Sequence, residues 1–535
     1  MNDMNDRPHT PRRPRPSLLS VLVCSAAAAV VFTTASAQDT PPPKETMLPA
    51  DTLLYRGFPE SPASVTDTVT IDGESVRYRA EAGTIAISAD ERTPAARLFY
   101  ISYTRLDATT GEPLEARDRP ITFSFNGGPG SSSVWLHLGL FGPYRVSYGD
   151  DVGNATPPPY GLVPNAESLL DLSDFVFIDP VSTGFSRVEE EVDASGYHGL
   201  EGDIEAVGAF IQQYLSRHKR WSSPKFVAGE SYGTTRAAGL AEHLWNRHGV
   251  GLNGVMLISS ILNFQTLRFG TGNDLPHILF LPNFAATAWY HDQLDDELQS
   301  MDVADLVAEV HAFATGDYAT YLMRNADADD ELRESVTQRL ARYTGLSETY
   351  VRDTNLRPAM PGFCKQLLRD EGMTVGRLDS RFVGRDRDNA GESNEFDPSY
   401  SAILGSYTAG LNELVRERIG FETDLPYEIL TGRVRPWAYG RAGEGQFVDV
   451  AERLRGAMQQ QPYLRVYLAK GYYDLATPSA AADYTFGRTF ADESLRERVM
   501  HRSYPAGHMM YVHAPSRRQQ RQDLVEFYTQ TLGQQ

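Results

Sequence analysis

The stretch Gly229-Glu230-Ser231-Tyr232-Gly233 restricts the fold more than any other part of this chain. It follows Pro224-Lys225-Phe226-Val227-Ala228, a short apolar run with strand character, and precedes Thr234 to Leu244, which starts like a helix. A strand that passes directly into a helix crowds its own backbone at the turn. Glycine has no Cβ to clash there, so Gly229 and Gly233 read as steric necessities. A serine on so sharp a turn presents its hydroxyl at the carboxyl end of a strand, the edge where open α/β sheets bind ligands. The competing reading is a glycine-containing turn with an idle serine, and the rest of the chain has to decide between them.

Further apolar runs lie at Phe175 to Asp179, Gly254 to Ile258 and Leu464 to Ala469, and Ile204 to Leu215 carries helical periodicity. Buried strands alternating with helices predict an α/β fold, a mostly parallel central sheet flanked by helices. Upstream, Asp67–Ile71, Val76–Ala80 and Gly83–Ile87 alternate like antiparallel strands joined by turns such as Asp72-Gly73. Arg97 to Tyr103 and Ile121 to Phe125 read as two more strands. Between 263 and 430 the texture becomes helical, acidic and irregular. That stretch predicts a helical cap insertion over the carboxyl edge of the sheet. Its charge runs, Asp295-Asp296-Glu297, Asp327 to Glu331 and Arg381 to Asp388, read as solvated faces. The expected division is core 51–262, cap 263–430 and core 431–535.

The N-terminus reads as a targeting segment. Arg7, Arg12, Arg13 and Arg15 precede an apolar run from Leu18 to Thr34, and Ala35-Ser36-Ala37 fits a cleavage site. The expectation is a signal peptide over 1–37, a disordered leader over 38–50, and an exported, periplasmic or secreted protein with no membrane association after cleavage. Cys24 lies inside the apolar run, so a mature chain keeps one cysteine, Cys364, and no internal disulfide. Formal net charge is −20 for all 535 residues; removing four Arg and two Asp with residues 1–37 leaves −22. That balance argues against nucleic acid as a partner. No metal cluster or nucleotide loop stands out, so no cofactor is expected, and no feature sets an oligomeric state.

An activated serine needs a base, and the base needs an orienting acid. In α/β-hydrolases, whose nucleophile turn the opening pentapeptide resembles, they follow in the order Ser, Asp or Glu, His. Gly471-Tyr472-Tyr473-Asp474 puts an acid just past the run ending at Ala469, and Ala506-Gly507-His508-Met509 puts a histidine in a later loop. Acyl transfer also needs N–H donors for an oxyanion. One should be that of Tyr232; the other should come from the glycine-rich loop Phe125-Asn126-Gly127-Gly128-Pro129-Gly130-Ser131-Ser132-Ser133.

Asn126-Gly127-Gly128-Pro129-Gly130 with Ser132-Ser133, the Gly229–Gly233 stretch, the Asp474 segment and Ala506-Gly507-His508-Met509 together resemble the serine carboxypeptidases, as a bacterial-type exported member. Ile178 to Ser186 is similar to the stretch that precedes the nucleophile turn in that family. The resemblance implies hydrolysis of the last peptide bond through an acyl-enzyme, with Ser231, Asp474 and His508 as triad and the N–H groups of Gly128 and Tyr232 as oxyanion hole. It also implies that Asn126 and Glu230 bind the free C-terminal carboxylate of a peptide substrate. Two carboxyl groups in contact must share a proton, so acidic pH should favour activity. The competing reading of Glu230 is a helix N-terminal carboxylate. Ser124 stands where the family usually has Trp, Ser131 where it has Cys, and Leu140 where some members have a second acid. Those departures keep a related serine acyltransferase or esterase as the alternative.

Overall fold

Strands of alternating apolar and polar residues open the described part of the chain. In this computed structural model, residues 58–59, 61–90, 93–148, 152, 156–440 and 446–533 are described, all within the compact unit Ala37–Gln535. The expected signal peptide and leader, with Cys24, lie outside the described residues. Strands β1 (Ala63–Ile71), β2 (Glu74–Asp90) and β3 (Thr93–Arg105) form an antiparallel run. The Asp72-Gly73 turn joins the first two, with φ of 49° and 84°. The segments 76–80 and 83–87, read as two strands from sequence, are one strand. Gly83 does not break it: a Cβ there would lie 2.9 Å from the Pro62 side chain, so the glycine admits a crossing segment.

The parallel part follows: β4 (Ile121–Phe125), β5 (Asp174–Ile178), β7 (Lys225–Ser231), β8 (Gly254–Ser260), β9 (Arg465–Gly471) and β10 (Val499–Tyr504). With the short β6 (Arg187–Val188) pairing β3, the ten-stranded sheet runs β1-β2-β3-β5-β4-β7-β8-β9-β10. All neighbours from β5 to β10 are parallel. Parallel strands are covered on both faces, which is why β4, β5 and β8 are buried along their whole length.

Successive residues feed opposite cores. Phe175, Phe177, Phe226, Met256 and Ile258 enter one cluster, beneath helix α7 (Ala514–Leu532). Phe123, Val176, Val227, Val255, Leu257, Val466 and Leu468 enter the other. Helices α1 (Leu200–Arg217), α2 (Tyr232–His248), α5 (Ala451–Gln460) and α6 (Ser479–Thr489) cover that second face. Each such side chain contributes about 1.5–3 kcal/mol by leaving water.

Between β8 and β9 the described chain is mainly helical, including α3 (Leu275–Tyr290) and α4 (Pro398–Asn412). Its described strands are Thr374–Val375 and Val383–Gly384, each of two residues. A third apolar cluster forms here around Phe280, Phe284, Leu340 and Phe363, and reaches Leu475 beside β9. Cys364 belongs to it, buried and free, its thiol pushed well up by burial. The charge runs need a correction. Asp295 and Asp329 are exposed helix caps, accepting from Leu298 and Leu332 N–H. Arg381 and Asp386, by contrast, are desolvated: Arg381 pairs with Asp379 at 2.7 Å and Lys365 with Asp386 at 2.6 Å, all side chains under a tenth exposed. Asp379, two residues from Arg381, and Lys365, 21 residues from Asp386, neutralise these charges, which a solvated-face reading could not register.

Candidate active site

The glycine-rich loop, the Ser231 turn and the Asp474 and His508 segments all fall at the carboxyl edge of the parallel strands. Ser231 closes β7 at φ 59° and ψ −129°, the one non-helical residue between strand and α2. A non-glycine residue there stores about 1–3 kcal/mol of strain. The glycines behave as the sterics require: a Cβ on Gly229 would lie 2.1 Å from the Gly233 oxygen.

Strand pairing brings the glycine-rich loop alongside. Because β4 pairs β7 with Phe125 opposite Gly229, the residues after each strand are neighbours. A Cβ on Gly127 would lie 2.4 Å from the Tyr232 nitrogen, so only glycine lets the loop approach the start of α2 so closely. Gly128 follows at φ 100°. The loop is pinned from outside: Thr431 N–H donates to Gly130 O and Ser132 N–H to Ile429 O, both at 2.9 Å. Beneath it, the buried Asp179 accepts from Ser133 N–H at 2.9 Å and from the Tyr427 hydroxyl at 3.1 Å. Burial pushes the Asp179 carboxyl up to about 7. Tyr232 is itself buried, its hydroxyl accepting from Trp437 Nε1 at 3.1 Å.

Asp474 and His508 follow β9 and β10, adjacent parallel strands, and meet. His508 Nδ1 lies 2.8 Å from Asp474 Oδ2, and both residues are buried. Asp474 is fully hydrogen-bonded: Oδ1 accepts from Ala476 and Thr477 N–H at 2.8 and 2.9 Å, and Oδ2 from the Thr477 hydroxyl at 2.7 Å. Burial alone would lower the His508 pKa, but the Asp474 charge and hydrogen bond outweigh it and raise it. Ser231 Oγ and His508 share no hydrogen bond among the described residues; such bonds often tighten only when substrate binds.

Glu230 is the penultimate residue of β7 and is buried. Its Oε1 accepts from Asn126 Nδ2 at 2.9 Å and its Oε2 from the Tyr511 hydroxyl at 2.6 Å. The carboxyl thus faces side chains, not the N–H groups of α2, which decides against the helix-terminus reading. Burial pushes it up to about 7, against the lowering effects of the His508 charge and the Tyr511 and Asn126 hydrogen bonds. Asn126 is fixed in turn: Leu136 N–H donates to its Oδ1 at 3.1 Å, and Arg236 donates to its carbonyl at 2.6 Å.

Three residues here carry no motif. Tyr511 is one. Asn283 on α3 donates to the carbonyls of Gly471, Tyr472 and Asp474 and accepts from Ser479, so the helical insertion anchors the Asp474 loop. Ser259, at φ 52° beside a register shift in β8, donates to the His508 carbonyl at 2.6 Å. A polar residue inside an apolar helix, next to Pro282, was the sequence signal of Asn283; Ser259 carried none, because its positive φ exists only in the folded backbone. Leu140, in contrast, sits wholly in the apolar core.

A mostly parallel sheet with helices on both faces and a serine on a strained strand-to-helix turn defines an α/β-hydrolase. Residues 72–349, just over half of the chain, match the family described as serine carboxypeptidase, and the chain belongs to that family. Among curated relatives, Serine carboxypeptidase-like 5 of Arabidopsis thaliana is 33% identical over 162 residues, 30% of this chain and 33% of that protein. Serine carboxypeptidase-like 36 of the same plant is 25% identical over 220 residues, 40% of this chain and 39% of that protein. The chain therefore matches about a third to two fifths of the length of these relatives. Among solved structures, a thermophilic esterase from Thermogutta terrifontis aligns with 84% of this chain and 99% of its own at 12% identity, TM-score 0.36, too distant to carry an argument.

Proposed function

We propose that this protein is an exported serine carboxypeptidase that removes the C-terminal residue of peptides through an acyl-enzyme. The observation that carries the reading is Glu230: a buried carboxyl, pushed up to about 7, one residue from the strained serine and held by two donors. A carboxyl in that condition keeps a proton, and a protonated carboxyl can donate to a substrate carboxylate that an ionised one would repel.

In this mechanism His508 Nε2 takes the Ser231 hydroxyl proton as Oγ attacks the carbonyl of the last peptide bond. The N–H groups of Gly128 and Tyr232 receive the oxyanion, each donor worth about 10²–10³ in rate. His508 then passes the proton to the departing amino group, and the released amino acid leaves an ester on Ser231. Water repeats the cycle, losing its proton to His508 and returning Oγ–H to Ser231. Asp474 holds the Nδ1–H tautomer and stabilises the imidazolium.

Glu230 and His508 act on each other: the charge of His508 lowers Glu230, and that of Glu230 raises His508. Productive binding needs the proton on Glu230 and a neutral His508. A substrate carboxylate against Glu230 holds the proton there. Activity on free-acid peptides should therefore fall above about pH 7 as Glu230 ionises. Export, with cleavage after Ala37, rests on the sequence pattern of residues 7–37.

The test uses blocked dipeptides with a free or an amidated C-terminus, across the pH range around neutrality. Release should occur from the free acid and not from the amide, with KM rising above about pH 7 in the native enzyme. Glu230→Gln, which stays neutral and can still donate, should bind less tightly but show no such rise. Equal rates on acid and amide, or a KM rise retained in Glu230→Gln, overturns the reading. Cleavage of small esters without peptides would put an esterase or acyltransferase in its place.

A further inference from the structure

Tyr511 lies in the short turn Met510–Val512, just after His508, and is buried. Its ring is trapped: a Cβ on Gly139 would lie 2.2 Å from Tyr511 Cε2 and 2.7 Å from the Tyr407 hydroxyl. Glu230 consequently meets two donors of different chemistry. The Asn126 amide at Oε1 can only donate, so the proton of the acid form cannot point at it. The Tyr511 oxygen at Oε2 can donate to the ionised carboxyl or accept from the acid. Among the described residues, the groups acting on Glu230 are His508, Asp474, Tyr511, Asn126 and, across the site, Tyr407 from α4. Tyr511 is faced by Tyr407 and Tyr148. No second carboxyl hydrogen-bonds Glu230 among the described residues.

We propose that Tyr511 is the positioning residue that sets substrate specificity: its hydroxyl, in place of a second carboxyl, completes the hydrogen bonding of Glu230 and aims that side chain at the substrate carboxylate. This rests on the carboxypeptidase reading above. The bond from Tyr511 favours the ionised form of Glu230. Without it the acid form persists to higher pH, while the carboxyl loses one of its two fixed contacts.

The experiment measures KM and kcat of the full chain on free-acid dipeptides and their methyl esters, in Tyr511→Phe and in protein carrying difluorotyrosine at position 511. In Tyr511→Phe the pH at which KM for the acid rises should move up by about one unit, the loss of one charge-assisted hydrogen bond. The preference for acid over ester should fall about tenfold, carried by KM. Difluorotyrosine, an almost isosteric and stronger donor that preserves the packing, should move the rise down, so the prediction stands even if Tyr511→Phe does not fold. A KM profile unmoved in either protein, or equal losses on acid and ester, overturns the role of Tyr511 alone. A native enzyme that does not prefer acid over amide overturns the carboxypeptidase reading, and this proposal with it.

Discussion

Ser231 holds a backbone conformation that serine avoids, and its neighbours make that strain unavoidable. The strand upstream, the helix downstream and the backbone of Gly233 leave no other path. The strain should be recoverable as stability. Ser231→Gly should be more stable than Ser231→Ala by about 1 kcal/mol, since both lose Oγ and only glycine relaxes at positive φ. Denaturant titration of the two variants checks this, and equal midpoints would contradict it. Ser231 was legible in the sequence because its constraint is local and written in glycines. Glu230 was half legible: its position followed from the same five residues, but its protonation depends on burial and on Tyr511, 281 positions away.

At the scale of elements, β4, β7, β9 and β10 each deliver one segment of the candidate site to the same edge, and the helical stretch between β8 and β9 hydrogen-bonds to it. Asn283 is the clearest instance. Its amide group donates to three carbonyls of the Asp474 loop, those of Gly471, Tyr472 and Asp474, at 3.0–3.1 Å. Asn283→Ala should leave buried carbonyls unpaired at about 1–3 kcal/mol each and loosen the acid that orients His508. We expect kcat to fall about ten- to a hundredfold with KM little changed. Steady-state kinetics with a stability measurement checks it; a KM effect at constant kcat would show that Asn283 serves binding instead. The strands themselves were readable because a buried parallel strand is a continuous apolar run. The union of 76–80 with 83–87 was not, because Gly83 signals a turn unless Pro62 is known to cross it. The buried Arg381 and Asp386 were missed for the same reason: charge patterning reports composition, and neutralisation depends on the partner.

Across the whole molecule, one buried ion pair ties the site to the core. Arg236 on α2 is wholly buried, bonds Asp203 on α1 at 2.8 Å and the Asn126 carbonyl at 2.6 Å, and stacks 5.2 Å from the Phe125 ring. Burial raises the Asp203 pKa, with Arg236 opposing it. Removing one partner leaves the other desolvated, so Arg236→Met should destabilise the fold by about 3–5 kcal/mol. Converting Asp203 to Asn in the same chain should recover part of that loss. Guanidinium denaturation of the single and double variants decides, and an additive double variant would refute the coupling.

The sequence by itself determined the α/β alternation, the strained serine and the chain order of serine, acid and histidine, since each is encoded in contiguous residues by sterics or hydrophobic period. Only the tertiary structure decided which side chains complete the site. Tyr511 against Glu230, Asn283 under Asp474, Ser259 behind His508 and Arg236 beneath Asn126 are all contacts between distant segments. Their energies arise from burial and hydrogen-bond geometry, and neither exists until the sheet has brought those segments to one edge.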